Sequence, residues 1–368
     1  MKTVVVTDGK YRASIAAVRT LGRAGYRVVV TQTRGDAALE PPVFASRYAA
    51  EARWLETSAC GEDYAEMLLA LLAEYNRPVL FCMGAATQNL VAARREAFSK
   101  VCDFLIAPAS VLEALNDKEA VHRRCVELGI PVPAQYEGEP ESYPVVIKPH
   151  CGEKLGLKAS ARYAVAGSKE EYEAELTGMR RYDPAPIVQE KISGDGAGAS
   201  LLLDGEGRLV GAICHRRIRE YPIAGGPSTC CESFFDEGII DRAYRLLSSF
   251  GFVGLAMVEF KGECVLEVNP RVWGSFPMTE CAESPIACRY VRAAAGEVLT
   301  YTPRDYRTGV RMRFLLNDTA AMLSCLRHGK IGKFLSGVAD VFRAREALSA
   351  SDDPAPLRRY LRQYLLRR

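Results

Sequence analysis

The sequence has few of the residues that hold metals or disulfides in recognisable patterns. Its 368 residues include only four histidines, none of them four positions from another, and its twelve cysteines contain no C-x-x-C pair. A zinc site of the usual spacing is therefore excluded. No apolar run approaches the ~20 residues that span a bilayer, and the N-terminus, MKTVVVTDGK, lacks the apolar stretch of a secretory signal peptide. We expect a cytoplasmic protein with reduced thiols and no membrane partner.

An excess of charge of one sign is also missing. Lysine and arginine number 48 and aspartate and glutamate 45, which gives a formal net charge of +3. A nucleic-acid partner is not expected, because such proteins carry a basic field. Hydrophobic residues make up 48% and charged residues 25% of the chain, which is typical of a folded globular protein. The length exceeds the ~250–300 residues at which single cores stop growing, so several domains are predicted.

The first hundred residues alternate short β-branched runs with helical stretches. Strands are predicted at Lys2–Thr7, Arg27–Thr31 and Pro78–Met83, and helices at Arg12–Ala24 and Tyr64–Tyr75. Such alternation indicates right-handed βαβ units and a parallel sheet. The turn after the first strand, Thr7-Asp8-Gly9-Lys10, is not G-x-G-x-x-G. A classical nicotinamide dinucleotide site is therefore not expected.

Two carboxylate-bearing strands are the strongest chemical signal. The runs MVEF and LEVNPR place Glu259, Glu267 and Asn269 on an antiparallel hairpin that turns at 261–263. Alternate residues of a strand share a face, so the three oxygen-bearing side chains can point the same way. Their desolvation is costly unless a cation is bound. Mg²⁺ suits this set, since it takes one or two carboxylates and completes its shell with phosphate oxygens and water.

Lysine placement is the second signal. Lys148 ends the apolar strand Tyr143–Lys148 directly before Pro149, and Lys118 lies in an upstream Asn-Asp-Lys element. A lysine at the end of a buried strand usually has an anionic partner. The loop Cys151–Ser160 adds flexible backbone N–H groups and two more lysines. Together these parts indicate a polyphosphate cradle without a Walker A sequence.

In this order along 106–300, the motifs resemble the ATP-grasp superfamily, in particular its carboxylate–amine or carboxylate–thiol ligases. The resemblance rests on NDK at 116–118, VIKP at 146–149, the Gly-rich loop, VQEKISG at 188–194, VEF at 258–260 and LEVNPR at 266–271. It implies an α/β fold with four parts. These are a Rossmann-like N-terminal domain (1–105), two ATP-grasp subdomains of α+β structure (106–188 and 189–300) and a helical, basic C-terminal extension (301–368).

The resemblance also implies roles for individual residues. The phosphates of ATP would be held by two lysines and a mobile loop, namely Lys118, Lys148, Gly152, Lys154, Gly156 and Lys158. The adenine would lie against the hinge strand, with an acid on the ribose: Gln189, Glu190, Ile192 and Asp195. Two Mg²⁺ ions would be held by Glu259, Glu267 and Asn269. Asp195 departs from the pattern, because its Gly-rich surroundings leave the register of the ribose acid open by one or two positions.

A third signal is a run of arginines followed by a Gly-rich loop. Positive charge at Arg217, Arg219 and Arg271 suits an acyl phosphate, so these are predicted as catalytic residues. The predicted substrate contacts are Arg216, Gly225, Gly226, Ser228, Trp273 and Ser275. The predicted activity is ADP-forming ligation of a small-molecule carboxylic acid to an amine. Amino acids are the expected substrates, and a second copy of the chain, in a homodimer, is the expected protein partner.

Simpler interpretations stay open at this stage. The carboxylates, Lys148 and the arginines could be solvated surface residues, His215 is better explained as structural than as a general base, and Cys230-Cys231 as incidental. The same module could also transfer the acyl group to a non-amine acceptor, as a carboxylase or thiol ligase does. A non-catalytic ATP-binding protein is a further alternative.

Overall fold

The computed structural model describes residues 1–150, 163–222 and 226–366, which form three β-sheets and the helices packed on them. The predicted site residues Gly152, Lys154, Gly156, Lys158 and Gly225 lie outside the described residues.

The N-terminal sheet is parallel, as predicted. Its strands are β1 (Thr3–Val6), β2 (Arg27–Thr33), β3 (Ala49–Leu55) and β4 (Val79–Phe81), in the order β3-β2-β1-β4. Consecutive valines are buried on both faces of β1 and β2, because helices cover both sides of a parallel sheet. The helices are α1 (Arg12–Arg23), α2 (Tyr64–Ala73), α3 (Ala85–Ala93) and α4 (Arg95–Val101).

A smaller antiparallel sheet follows two connecting helices, α5 (Ala109–Asn116) and α6 (Lys118–Glu127). Its strands, in the order β6-β5-β7, are β5 (Val145–Lys148), β6 (Ala164–Ala166) and β7 (Ile187–Glu190), and α7 (Lys169–Met179) packs on it. Six buried side chains give this sheet a core of its own: Val145, Ile147, Ala166, Tyr172, Met179 and Val188.

The largest sheet has seven strands in the order β12-β11-β8-β9-β10-β13-β14. These are β8 (Gly196–Leu203), β9 (Leu209–Glu220), β10 (Ser228–Phe234), β11 (Gly254–Lys261), β12 (Cys264–Asn269), β13 (Arg311–Arg313) and β14 (Arg345–Glu346). The remaining helices are α8 (Glu237–Ser249), α9 (Pro277–Cys281), α10 (Ile286–Ala294), α11 (Leu315–Arg327), α12 (Ile331–Arg343) and α13 (Ala355–Leu366). The C-terminal region is mainly helical, as predicted, but it also adds β13 and β14 to this sheet.

The core is continuous between the first sheet and the largest one. One buried cluster joins Val4 and Val6 of β1 to Phe276 and Tyr290, and another joins Val5 to Val258 of β11. Trp273 belongs to the first cluster, with its ring 5.2 Å from that of Phe276, and it is only 2% exposed. The structure therefore places Trp273 in the core rather than at a substrate surface.

A β-bulge in β9 separates the arginines of this strand. Arg216 and Arg217 lie opposite Glu232 and Cys231 of β10, but Arg219 lies opposite Cys230, with a register shift between the two cysteines. Directly opposed residues share a face, so the bulge turns Arg219 to the face of Arg216 and away from that of Arg217. Simple alternation would have put Arg217 and Arg219 side by side.

Arg219 is committed to buried ion pairs with the C-terminal helices. Its Nε and Nη2 donate to both carboxylate oxygens of Asp318 at 2.8 Å, and its Nη1 donates to Asp340 Oδ2 at 2.5 Å. Both aspartates are fully buried. This placement gives Arg219 a structural role and corrects its prediction as a catalytic residue. Arg216 pairs with Glu232 on the same face, where its Nε donates at 3.0 Å, rather than contacting a substrate cleft.

Replacing Arg219 by Met is expected to lower the free energy of unfolding by about 3–5 kcal/mol, because the buried Asp318 loses its arginine and the buried Asp340 loses one of its two. Urea denaturation measures this change. Arg216→Met is the matched control, since the Arg216 side chain is 49% exposed and its partner Glu232 keeps the ion pair with Arg311. This variant should lose about 0–1 kcal/mol. An Arg219→Met protein as stable as the wild type would contradict the structural role.

Candidate active site

The site is built on one face of the largest sheet, where β9, β8, β11 and β12 lie side by side. Glu259 of β11 is directly opposite Glu267 of β12, and Met257 is opposite Asn269. Glu259, Glu267 and Asn269 therefore share a face, and Asn269 Nδ2 donates to Glu259 Oε1 at 3.2 Å. The hairpin brings together the three oxygen-bearing side chains that the sequence singled out.

Two glycines in β8 open this face to Arg217. Gly196 and Gly198 lie between Glu259 on β11 and His215 and Arg217 on β9. A Cβ at Gly196 would lie 3.0 Å from Arg217 Cδ, and one at Gly198 would lie 2.6 Å from His215 Cε1. Because β8 carries no side chain at these positions, Arg217 reaches across it, and its Nη2 donates to Glu259 Oε2. The i, i+2 spacing of these glycines was the available sequence signal for this crossing.

The opposite side of the carboxylate pair faces two lysines. Lys118, the first residue of α6, places its Nζ 3.3 Å from Glu267 Oε2. It is held there by the helix start, because Asp117 caps α6 by accepting from the backbone N–H groups of Glu119 and Ala120. Lys148 ends β5 on the small sheet and interacts electrostatically with both Lys118 and Glu267.

Burial and neighbouring charges push the ionisation of these groups in different directions. Burial raises the pKa of Glu259, with a further increase from Glu267, against the opposing effect of Arg217. Burial also acts to raise the pKa of Glu267, but Lys118 and Lys148 outweigh it and leave the pKa lowered. Burial and the like charge of Lys118 lower the pKa of Lys148 to about 8. Such opposed shifts are typical of functional sites.

A narrow cleft runs between the small sheet and β12. Lys148 and Gln189 line it from the small sheet. The other lining residues are Lys118, Val121, His122, Val132, Pro133, Gln135, Val265 and Leu266. Gln189 is buried. The cleft thus has lysines at one part and apolar side chains at another.

Other predicted hinge residues have local roles. The Glu190 carboxylate accepts from the Ala134 N–H at 2.9 Å, and the Glu190 N–H donates back to the Ala134 carbonyl at 2.9 Å. Glu190 therefore fastens the strand that lines the cleft. Ile192 is half-buried just beyond β7, and Asp195 is exposed in the turn before β8, where its backbone oxygen accepts from Gly262 N–H.

Residues predicted to bind substrate lie around the far end of β12 and β10. Arg271, predicted as catalytic, lies two positions after Asn269, and its charge opposes the rise in the pKa of Glu259 that burial causes. Ser275 is buried, 3.1 Å from His215 Nε2, and burial lowers the pKa of His215 to about 3, so this histidine stays neutral. The Ser228 hydroxyl donates to the Cys230 carbonyl at 3.1 Å. A Cβ at Gly226 would lie 2.3 Å from the backbone carbonyl oxygen of Tyr221. His215 therefore lies on the same face as Glu259, where it contacts Ser275.

The N-terminal domain meets this site at the reversal point of its strand order, between β1 and β4. Asp8 follows β1 with φ of 56°, a left-handed conformation that aspartate tolerates. It accepts from the Gly84 N–H at 3.0 Å and from the Thr87 hydroxyl at 2.9 Å, which ties the ends of β1 and β4 together. Gln88 Nε2 then donates to the Pro270 carbonyl at 2.6 Å, next to Asn269. Sequence reasoning missed these contacts, because no local pattern marks them.

These donors fit a divalent cation that also has phosphate ligands. Among the described residues no cluster of three His, Cys, Asp or Glu side chains suits a metal. A cation here would draw on the two carboxylates and the Asn269 amide oxygen, a hard oxygen set that leaves coordination positions for a ligand and water. No helix among the described residues is long and apolar enough to cross a bilayer.

Comparison with known proteins identifies the fold. A family model described as the ATP-grasp domain matches residues 115–275, which confirms the ATP-grasp resemblance over that range. No curated protein matches the chain.

Similar solved structures include a biotin carboxylase complex with β,γ-ATP from Campylobacter jejuni, with a TM-score of 0.64 and 14% identity over 84% of this chain and 74% of that one. The biotin carboxylase domain of Hydrogenobacter thermophilus 2-oxoglutarate carboxylase, in complex with MgADP, ADP and bicarbonate, has a TM-score of 0.63 and 16% identity over 84% and 73%. Pyruvate carboxylase from Rhizobium etli has a TM-score of 0.62 and 14% identity over 84% and 30%. The predicted fold class is confirmed.

Replacing Lys148 by Met is expected to raise the free energy of unfolding at neutral pH by about 1–3 kcal/mol, because a buried ammonium is removed. The pKa of Lys148 falls from 10.5 to about 8 on folding. The unfolded chain therefore binds more protons between these values, and the stability of the wild type rises with pH across that window. The advantage of the variant should be present below pH 8 and disappear towards pH 10.5.

Urea denaturation as a function of pH measures this effect. Lys118→Met is the control of opposite sign, since it removes the ion pair with Glu267 and should lower stability by up to about 1 kcal/mol. A loss of stability in both variants would show that Lys148 has a strong anionic partner in the unliganded protein.

Proposed function

We propose that the protein, with an ATP-grasp domain over residues 115–275, is an ATP- and Mg²⁺-dependent ligase that joins a carboxylic acid to an amine. The products are ADP, phosphate and an amide, with amino acids as the favoured amine substrates. The carrying observation is a row of charges on one sheet face and its edge, with two carboxylates between two lysines and one arginine: Lys148, Lys118, Glu267, Glu259 and Arg217. In such a row the lysines face the phosphates and the carboxylates face the cations.

The residues divide the work of the first step. Lys118 and Lys148 would neutralise the phosphates of ATP, and the cleft beside Gln189 would take the adenine. Glu259, Glu267 and Asn269 would hold two Mg²⁺ ions, which would neutralise the negative charge of the phosphates. A carboxylate oxygen of the substrate attacks the γ-phosphorus, the bond to the β-phosphate oxygen breaks, and ADP leaves with that electron pair.

Arg217 and Arg271 suit the second step. The amine nitrogen attacks the acyl carbon of the acyl phosphate, and phosphate leaves as the amine proton passes to solvent. Arg217 stands on the same face as the carboxylates, and Arg271 lies two residues after the end of β12, so both guanidinium groups can reach the anionic intermediate. Catalysis rests on positioning and charge, without a covalent intermediate on the enzyme.

The activity test measures Mg²⁺-dependent release of ADP and phosphate with amino acids and other carboxylic acids, singly and in pairs. Release with one acid–amine pair, and detection of the amide by mass spectrometry, is the expected result. Glu267→Gln should reduce the rate by about a hundredfold or more, because a cation ligand is lost. Glu263→Gln is the matched control, since Glu263 lies in the same hairpin but is 76% exposed, and the rate should not change.

Other results separate the alternatives. Release driven by bicarbonate or a thiol, with no amine required, would favour a carboxylase or thiol ligase. ATP·Mg²⁺ that raises the melting temperature without any turnover across acceptors would favour a non-catalytic ATP-binding protein. The absence of a shift at saturating ATP would overturn the proposal.

The affinity for ATP is expected to fall as the pH rises above about 8, because the free protein then loses the proton of Lys148 that the phosphates require. The dissociation constant should increase up to about tenfold per pH unit there. Isothermal titration calorimetry with ATP·Mg²⁺ measures it. Lys148→Arg should remove this inflection, because guanidinium stays protonated. An unchanged inflection in that variant would assign the titration to another group.

A further inference from the structure

The hairpin formed by α11 and α12 carries an apolar surface that no described residue covers. On α12 the apolar residues recur at the spacing of one helical stripe: Ile331, Phe334, Leu335, Val338, Val341 and Phe342. At about 100° per residue they span about 120° of the helix surface. Five of them are 40–88% exposed, and Phe342 is the most exposed.

An ordinary amphipathic helix turns its apolar face to the protein, but α12 turns its apolar face to solvent. Its face towards the protein carries Gly337, where a Cβ would lie 2.7 Å from Met322 Cγ of α11, and Asp340, which is fully buried. Asp340 is fixed by Arg219 at 2.5 Å and by Arg311 at 2.5 Å. These buried ion pairs orient α12 so that its apolar stripe points to solvent. Leu323 and Leu326 of α11, 48% and 46% exposed, extend the apolar surface.

The charge around this surface has one sign. The exposed ionisable side chains of residues 315–343 are all basic: Arg327, His328, Lys330, Lys333 and Arg343. The two acids of this segment, Asp318 and Asp340, are both buried and paired with Arg219. We call these five basic residues the basic rim. An exposed apolar stripe together with a basic rim favours an occupant that has both an apolar part and an anionic part.

We propose that the α11–α12 hairpin binds the surface of an anionic phospholipid bilayer, with the stripe inserted among the acyl chains and the basic rim on the headgroups. A basic rim beside an inserted apolar stripe is the pattern of interfacial helices. Protein interfaces, by contrast, are depleted in lysine. A second copy of the chain fits less well, since a two-fold contact would bring the two basic rims together. This inference departs from the sequence-based expectation of no membrane partner.

Vesicle co-sedimentation of the full chain tests the proposal. The wild type should bind vesicles that contain phosphatidylserine in phosphatidylcholine, bind pure phosphatidylcholine far less, and release from the anionic vesicles as salt rises. Leu335→Glu combined with Phe342→Glu should reduce the partition coefficient by about tenfold or more. Both residues are exposed, so the melting temperature should not change.

Two further variants sharpen the test. Val298→Glu is the matched control, because Val298 is 74% exposed outside the hairpin, and its binding should equal that of the wild type. Lys330→Glu combined with Lys333→Glu should weaken binding to anionic vesicles. Absence of wild-type binding would overturn the proposal, as would equal binding by the Leu335 and Phe342 double variant. Dimerisation in sedimentation velocity that this double variant abolishes, without vesicle binding, would assign the surface to a second copy and also overturn it.

Discussion

The site depends on the neutralisation of two half-buried carboxylates by the positive side chains around them. Glu259 and Glu267 lie directly opposite each other on neighbouring strands, an arrangement that repels unless positive charge stands on both sides. Arg217 supplies it from β9 and Lys118 from α6, while Lys148 closes the row from a different sheet. The antiparallel register of β9, β8, β11 and β12 is what places these groups in sequence. A one-residue slip in β9, β11 or β12 would send its charged side chain to the opposite face of the sheet.

The sequence was informative where local periodicity determines structure. The parallel N-terminal strands follow from valine runs between helices, and the common face of Glu259, Glu267 and Asn269 follows from alternation along a hairpin. Strand β3, with residues such as Arg53 and Trp54, escaped prediction because its pattern is mixed. The positions of the Trp273 and Arg219 side chains were also not predicted, for a different reason. Whether a tryptophan enters the core or an arginine crosses to the other face depends on tertiary contacts and on a bulge, and neither has a period.

The bulge in β9 divides one strand between two tasks. On one face, Arg217 crosses the glycines of β8 to reach Glu259. On the other, Arg219 binds Asp318 and Asp340 and so attaches α11 and α12 to the sheet. Neighbouring arginines in a sequence are easily given one role, but here a single extra residue separates a charge of the site from an anchor of the C-terminal region.

The hydrogen bond from Gln88 to the Pro270 carbonyl has a mechanical consequence. It fastens the end of β12 to the N-terminal domain, with which the largest sheet also shares continuous cores. These two sheets therefore form one unit that carries Glu259, Glu267 and Asn269. The small sheet has its own core and carries Lys148 and Gln189, so we expect it to be the part that moves when the site opens. A ligand held between the small sheet and this unit would be released when the small sheet moves away. The rate of that opening would then limit how fast the site can bind the next ligand.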